Sequence, residues 1–461
     1  MVTQPTAVLA GLNAMLREEP GVLAALGRAS TVLVVPEPAR AVTLAGLLAA
    51  SRRAPMVVAV PTAADAERLS ADLQNFLPAN AVELFPAWET LPFERVSPSI
   101  ETMGLRLRTM WRLRTADPSL SVIVAPARAL VQRLGPHVED VEPIRVALRD
   151  QVDSLQLIEQ LVLSGYRREY QVEHRGEIAV RGSIIDVFPA TADVPVRIDL
   201  WGDEVERLTE FSVADQRSTV DLEELAVFPA RELLPSEEVC ERAEQLLASQ
   251  PWGREQWQRL ADGEVFEGME AWMAWLADSE HVLFDLVPDD GLILLADPRR
   301  LRDRAADIAA EERDLGQSLS RTWGLKLDAD GQGSDPFPQM HVEFNRLLQH
   351  TKAPVWSIAA VPDSPDSPAV TALAWPPAVG EADALLHQLR QLIAEGYAVV
   401  VCADGEGSAS RIEKLLSQHG LSFPIRISDD GTAPNPADLR SAGGSIVYAP
   451  LERGCILPAL K

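Results

Sequence analysis

The first third of the chain alternates short apolar runs with longer amphipathic segments. The runs are rich in β-branched residues, and each ends at or just before a proline, which predicts buried strands. This alternation favours a parallel sheet covered by helices on both faces. The predicted strands are 31–36, 56–61, Val82–Phe85 and Ser121–Ala125, and the predicted helices are 39–51 and 63–77.

A different pattern begins near residue 150. A helical segment at 153–164 precedes short strands predicted at Glu177–Val180, Ser183–Phe188 and Val196–Trp201. In the last of these, apolar and polar residues alternate, which is typical of a sheet with one solvated face. We therefore expect an antiparallel domain inserted into the first domain. The apolar run Gly291–Ala296 predicts a further buried strand that completes the first sheet.

The last part of the chain predicts a smaller α/β unit. Residues 361–380 are rich in Pro and Ser, a composition that interrupts helices and commonly joins domains. Apolar residues continue up to Lys461, so we expect the natural protein to continue beyond it. The elements predicted in this unit are helices at Glu381–Glu395 and Ser408–Gln418 and strands at Tyr397–Ala403 and Ser445–Ala449.

The patterns predict an α/β protein in three parts. The first domain has a parallel sheet and comprises residues 1–128 and 213–350. An inserted, mainly antiparallel α+β domain comprises residues 129–212. A small C-terminal α/β domain comprises residues 351–461.

Composition narrows the class of protein. The 461 residues include 42 Lys and Arg against 68 Asp and Glu, a net charge of −26. Such a charge repels phosphate backbones and anionic lipids, so we expect no bulk attraction to DNA and no membrane partner. No apolar run reaches the roughly 18 residues of a membrane span, and we expect a cytoplasmic protein. The cysteines Cys240, Cys402 and Cys455 have no CxxC spacing, which argues against disulfides and a zinc site.

The loop after the first predicted strand lacks a phosphate-binding motif. Its sequence, PEPARAVTLAGLL, contains no GxxxxGK[ST]; Pro36 and Pro38 remove amides, and Glu37 adds a negative charge. We therefore expect no ATP hydrolysis. Asp297 stands where a motor holds a magnesium ligand, but without a phosphate loop we interpret it as the cap of a helix at Arg299–Glu311. We expect no catalytic residue, cofactor or metal in this chain.

Arginine and aromatic residues recur within 165–217. Such residues are enriched at protein interfaces because they offer planar area and several hydrogen bonds. Interleaved glutamates allow the alternative of a solvated sheet face with paired charges. Composition leaves both interpretations open. The residues are Tyr166, Arg167, Arg168, Tyr170, Arg175, Arg181, Arg197 and Trp201.

Two stretches carry a resemblance to a known family. GYRREYQVEHRGEIAVRGSIIDVFP (165–189) and VRIDLWGDEVERLTEF (196–211) closely resemble the second domain shared by the nucleotide-excision-repair protein UvrB and the transcription-repair coupling factors, the Mfd family. LFPAWETLPFERVSPSIETMGLRLRTMWRL (84–113) and the final LERGCILPALK are similar to stretches of that family. UvrB has a working phosphate loop and this chain has none. The resemblance is therefore to the N-terminal UvrB-like module of the Mfd family, domains 1 to 3.

The resemblance implies a fold and a partner. It implies that the first domain is a helicase-like fold without a P-loop, and that the second domain binds UvrA through its exposed sheet face. Carried over to matching positions, the UvrA-binding candidates are Arg167, Arg181 and Ile185, with Arg175 and Arg197 as weaker candidates. RNA polymerase and DNA would bind to domains beyond Lys461, which would also hold ATP and magnesium.

The expected function is that of an adaptor. By resemblance, the full-length protein is an ATP-dependent DNA translocase, and this module recruits UvrA to lesions at stalled RNA polymerase by mimicking UvrB. The alternative is a UvrB-type, helicase-like ATPase with a divergent nucleotide site. A damaged-DNA-binding module is disfavoured by the net charge of −26.

Overall fold

A computed structural model of the chain describes residues 7–136, 138–250, 253–277, 279–322, 338–375, 382–426, 434 and 436–461. The strands, labelled β1 to β18 in chain order, are Val32–Val34, Met56–Val60, Val82–Leu84, Val122–Pro126, Ile144–Ala147, Arg167–Arg168, Glu177–Arg181, Ile184–Val187, Val196–Trp201, Glu204–Phe211, Ser218–Asp221, Glu224–Val227, Leu292–Ala296, Val355–Ala359, Leu373–Ala374, Ala398–Ala403, Gly443–Tyr448 and Cys455–Ile456.

The helices begin where side chains cap their first turns. Thr62, Ser99 and Asp153 each accept hydrogen bonds from backbone amides at the start of a helix, which satisfies donors that the helix itself leaves unpaired. A 3-10 helix at Ala10–Glu18 precedes the first α-helix. The α-helices α1 to α14 are Pro20–Ala25, Arg40–Ser51, Ala63–Gln74, Ile100–Arg114, Ala127–Val131, Ser154–Leu163, Glu237–Ser249, Arg254–Ala261, Met273–Leu276, Pro298–Thr322, Phe344–Leu347, Ala382–Ala394, Glu406–Gln418 and Pro436–Arg440.

The first unit is built on a parallel sheet with the strand order β1-β14-β13-β2-β4-β3. Its central strands are buried along their whole length, with one hydrophobic core on each face. The predicted strand near residue 292 is β13, which pairs in parallel with β2 at Ile293 and Val57. The predicted α/β class, with a parallel-sheet first domain, is confirmed.

Strand β14 requires a correction to the predicted division at residue 351. That division assigns Val355–Ala359 to the third domain, whereas the strand lies between β1 and β13 in the first sheet. Trp356 and Ile358 are buried in the core of the first unit, which explains the placement. The first unit therefore includes residues on both sides of residue 351.

The inserted unit contains a second sheet with the strand order β11-β10-β9-β8-β7-β6. Its strands pair antiparallel except for the short β6, which runs parallel to β7. Helix α6 packs Leu157 and Leu161 on one face, together with the β5–β12 ladder. Because β12 and Ala230 belong to this core, the unit extends past residue 212, the predicted end of the insert.

Buried ion pairs fasten the exit of the insert to the first unit. Glu232 is fully buried and accepts hydrogen bonds from Arg106 on α4 at 2.8 and 3.0 Å and from the indole nitrogen of Trp88 at 2.8 Å. The adjacent Arg231 pairs with the buried Glu270 at 3.2 Å. Buried charges hold their geometry because separating them would leave an uncompensated charge. These contacts fix the insert where its chain returns to the first unit.

The third unit is smaller. Strands β16 and β17 pair in parallel, and α12 and α13 pack with them around a small core. Contacts with the first unit include Asn75 donating to the Pro450 carbonyl at 2.8 Å and an exposed ion pair between Arg68 and Glu452. No helix in the described part of the chain is long and apolar enough to cross a membrane.

Candidate partner-binding surface

The outer face of the inserted sheet carries charged and aromatic side chains. Side chains alternate along each strand, so Val196, Ile198 and Leu200 of β9 enter the core and their neighbours face outward. The ladders align Arg181 with Ile184 and Ile184 with Asp199 across β7, β8 and β9. We call the outward set Arg181, Ile184, Asp186, Arg197 and Trp201 the outer sheet surface.

A buried carboxylate organises the two arginines of the outer sheet surface. Asp186 has no exposed side-chain area, and it accepts hydrogen bonds from Arg181 at 2.6 Å and from two nitrogens of Arg197 at 2.7 and 2.9 Å. These hydrogen bonds raise the pKa of the Arg197 guanidinium above its ordinary value. Arg197 also lies over the Phe211 ring, 4.7 Å from its centroid. Arg197 is thus a mostly buried support, whereas the Arg181 side chain is 42% exposed.

Trp201 is an exposed residue of this surface that is not among the predicted UvrA-binding candidates. It ends β9 beside a tight turn in which Gly202 has a φ of +63°, and it is 77% exposed. It lies diagonally across the β8–β9 ladder from Ile184, roughly 8 Å away by sheet geometry. The available signal was the alternation itself, which places Trp201 on the solvated face. An exposed tryptophan on the same sheet face as an exposed arginine has the composition of a binding hot spot.

Ile185 is a correction to the predicted candidates. It is 1% exposed and packs in the core of the insert against Val187 and Ile198. Its β8 neighbours Ile184 and Asp186 face outward instead, because adjacent strand residues point to opposite faces. Ile185 therefore supports the sheet from within and offers no surface to a partner.

Arg167 and Arg175 lie apart from the other candidates. Arg167 is exposed on β6 opposite Glu177, four residues along β7 from Arg181, which corresponds to roughly 13 Å. Arg175 donates to the Ala192 carbonyl and to Asp193, and its guanidinium lies 5.6 Å from the Phe188 ring centroid. The structure thus brings Arg181 and Arg197 together, leaves Arg167 at the other end of the sheet, and uses Arg175 to fasten a loop.

Comparison of the chain with known proteins shows the family to which it is related. A family model described as the UvrB interaction domain matches residues 144–233. The chain is 34% identical over 423 residues, 86% of its length, to transcription-repair-coupling factors of Mycobacterium bovis and Mycobacterium tuberculosis. It is 32% identical over 237 residues, half of its length, to the transcription-repair-coupling factor of Haemophilus influenzae. The chain belongs to the transcription-repair-coupling factor family.

The match clarifies the extent of the insert in this family member. Residues 144–233 run from the start of β5 to the Arg231 and Glu232 attachment, so the matched region coincides with the unit that the antiparallel core defines. It includes every predicted binding residue. The chain spans about a third of the length of the mycobacterial transcription-repair-coupling factors.

Arg40 and Asp297 form an ion pair at the carboxyl ends of the parallel strands of this transcription-repair-coupling factor family member. Arg40, the first residue of α2, donates from one nitrogen to both carboxylate oxygens of Asp297 at 2.9 Å each. Asp297 follows β13 and has a φ of +54°. From the sequence, Asp297 is expected to cap a helix. Asp297 directly precedes α10, and its carboxylate also binds Arg40. Among the described residues, no group of three or more His, Cys, Asp and Glu is arranged to hold a metal ion.

The Arg40→Ala variant tests how much the ion pair with Asp297 stabilises the protein. We expect Arg40→Ala to lower the free energy of unfolding by about 2 kcal/mol, because it leaves the mostly buried Asp297 carboxylate without its nearest cation. The midpoint of urea unfolding measures the effect. Arg68→Ala, which removes a more exposed partner of Asp65 and Glu452, is the control and should change stability by less than about 1 kcal/mol. Equal midpoints for the two variants would contradict the prediction.

Proposed function

We propose that this chain is the adaptor part of a transcription-coupled DNA repair factor and that it binds UvrA through the outer sheet surface. The observation that carries the proposal is that exposed Arg181 and Trp201 share one face of the sheet, on the two strands that flank β8, inside the region that matches the UvrB interaction domain. In the longer protein, this contact would bring UvrA to lesions at stalled RNA polymerase, while other domains contact the polymerase and translocate on DNA.

The outer sheet surface combines an exposed guanidinium group with apolar area. The carboxylates of Asp186 and Asp199 balance the guanidinium groups of Arg181 and Arg197, so the four residues together add no net charge. The exposed Arg181 shares this face with the apolar side chains of Ile184 and Trp201. A central Arg offers several hydrogen bonds in fixed geometry, and Trp adds large apolar area at low entropic cost.

Calorimetric titration of the chain into UvrA tests the proposal. We expect saturable binding by the parent and a roughly tenfold weaker affinity for Arg181→Ala, since truncation of a central arginine commonly costs over 1 kcal/mol. Asp186 keeps both hydrogen bonds from Arg197 in this variant, so the sheet should stay folded. Absence of binding by a folded parent would refute the proposal.

We propose further that this part of the protein does not hydrolyse ATP. Pro36 and Pro38 provide no backbone N–H in the loop after β1, and Arg40 binds the Asp297 carboxylate that could otherwise hold a metal. We therefore expect no saturable heat when Mg-ATP is titrated into the chain. Binding at micromolar affinity would favour the alternative of a helicase-like ATPase with a divergent nucleotide site.

A further inference from the structure

Strand β16 reads AVVVCA and pairs in parallel with β17. Within the described residues no strand is paired with its other edge. Gly443 donates to the Tyr397 carbonyl and Ala449 to the Ala403 carbonyl, so the odd-numbered residues of the strand direct their backbone groups toward β17. The backbone groups of Ala398, Val400 and Cys402 therefore point to the opposite edge.

A cavity of about 500 Å³ runs along this edge. All of the consecutive residues from Ala398 to Cys402 line it. Successive side chains of a strand face opposite sides of the sheet, so a cavity over one face would contact only alternate residues. The cavity is therefore beside the strand, in the plane of the sheet, where the next strand of the sheet would run.

The walls of the cavity come from both sides of that plane. Leu385 and Leu389 of α12 and Ile412 of α13 line it from the third unit, and Leu12, Met15 and Val42 line it from the first unit. The surroundings are apolar enough that burial raises the pKa of the Cys402 thiol to about 12 and that of Cys455 to about 11. A strand between two apolar layers is the usual environment of a parallel sheet.

We propose that this cavity is a binding site for an extended apolar peptide segment, which adds a strand to the edge of β16. A strand between packed layers fills about 160 Å³ per residue, so 500 Å³ accommodates the central three or so residues of such a segment. The segment should be rich in Val and Ile, because apolar side chains line the cavity on both faces.

Backbone chemistry favours a peptide over a small apolar molecule. The outward N–H and C=O groups of β16 lie in an apolar environment and need hydrogen-bond partners, which an added strand supplies and a hydrocarbon does not. Exposed edge strands are normally protected by Lys, Pro or a bulge, and β16 contains no charged residue and no proline. The composition of β16 is that of a strand with a neighbouring strand on both edges.

A labelled peptide tests the site on the whole chain. The probe is a short fluorescein-labelled peptide with a core of Val and Ile flanked by lysines, and the control probe has proline at alternate core positions. We expect saturable binding of the first probe by fluorescence anisotropy and none of the second. Val400→Pro removes one outward N–H without touching the ladder to β17, and should weaken binding at least tenfold. Val400→Ala keeps that N–H and should change affinity less than threefold.

Hydrogen exchange on the parent protein gives the same test without a variant. Peptide binding should slow exchange at the amides of Ala398, Val400 and Cys402, which point to the open edge, while the amides that face β17 change little. The proposal is overturned if the folded parent does not bind the first probe, if Val400→Pro binds as well as Val400→Ala, or if the three amides gain no protection. None of these outcomes depends on UvrA, so the test is independent of the proposed function.

Discussion

Trp201→Ala should weaken UvrA binding by roughly 30-fold, which corresponds to about 2 kcal/mol. The side chain is 77% exposed on a paired strand, so the backbone that carries it is already ordered when a partner covers it. It adjoins Ile184 on the outer sheet surface, and truncation removes the largest apolar contact that this surface offers. Calorimetric titration into UvrA, performed as for Arg181→Ala, measures the change in affinity.

Leu155→Ala is the matched control for Trp201→Ala. Leu155 has the same exposed fraction, 77%, but stands on α6, which packs on the opposite face of the sheet. If the outer sheet surface binds UvrA, Leu155→Ala should leave affinity unchanged within about twofold. A larger loss for Leu155→Ala than for Trp201→Ala would place the interface on the helix face instead. Unchanged thermal unfolding of both variants would show that the comparison reports binding.

Glu232→Ala should destabilise the protein by about 3 to 5 kcal/mol. The carboxylate is fully buried and binds both Arg106 and Trp88, so its removal leaves a buried guanidinium without its counter-ion and an indole N–H without its acceptor. Arg106 keeps the Pro86 carbonyl at 3.0 Å and the Phe85 ring at 4.3 Å, which compensate in part. Urea unfolding, followed by tryptophan fluorescence, measures the loss.

Glu264→Ala provides the comparison for Glu232→Ala. Glu264 pairs with Arg259 at 2.8 Å, the same distance as the buried pair, but both side chains are largely exposed. Exposed pairs contribute roughly 0 to 1 kcal/mol, so this variant should unfold close to the parent. The prediction for Glu232 fails if the two variants unfold at the same urea concentration.

The fold is predicted best from the sequence where a strand is apolar along its whole length. Runs such as MVVAV in β2 and LILLA in β13 are apolar throughout, and both proved to be buried central strands. Strand β14 reads VWSIA and follows a proline, so it was not separated from the neighbouring Pro- and Ser-rich segment. Its burial depends on β1 and β13, which are distant in sequence, and no local pattern contains that information.

The geometry of the candidate surface could be predicted only in part. The recurrence of arginine and the family resemblance predict Arg181 and Arg197 as candidates, but the fully buried Asp186 that binds both is not predicted, since burial of an aspartate follows from its cross-strand partners. Burial of Ile185 and exposure of Trp201 follow from the strand register. The register of β8 against β9 decides which residues face outward, and a shift of one residue reverses every assignment.

The pairing of β5 with β12 makes it possible for evolution to add or remove the insert as a whole. Ile144 at the start of β5 pairs with Val227 at the end of β12, so the chain enters and leaves the insert at points about 5 Å apart. A gene could therefore gain, lose or exchange the whole insert through a single local event while the parallel sheet keeps its strand order. The insert can therefore be exchanged as one unit without rebuilding the parallel sheet.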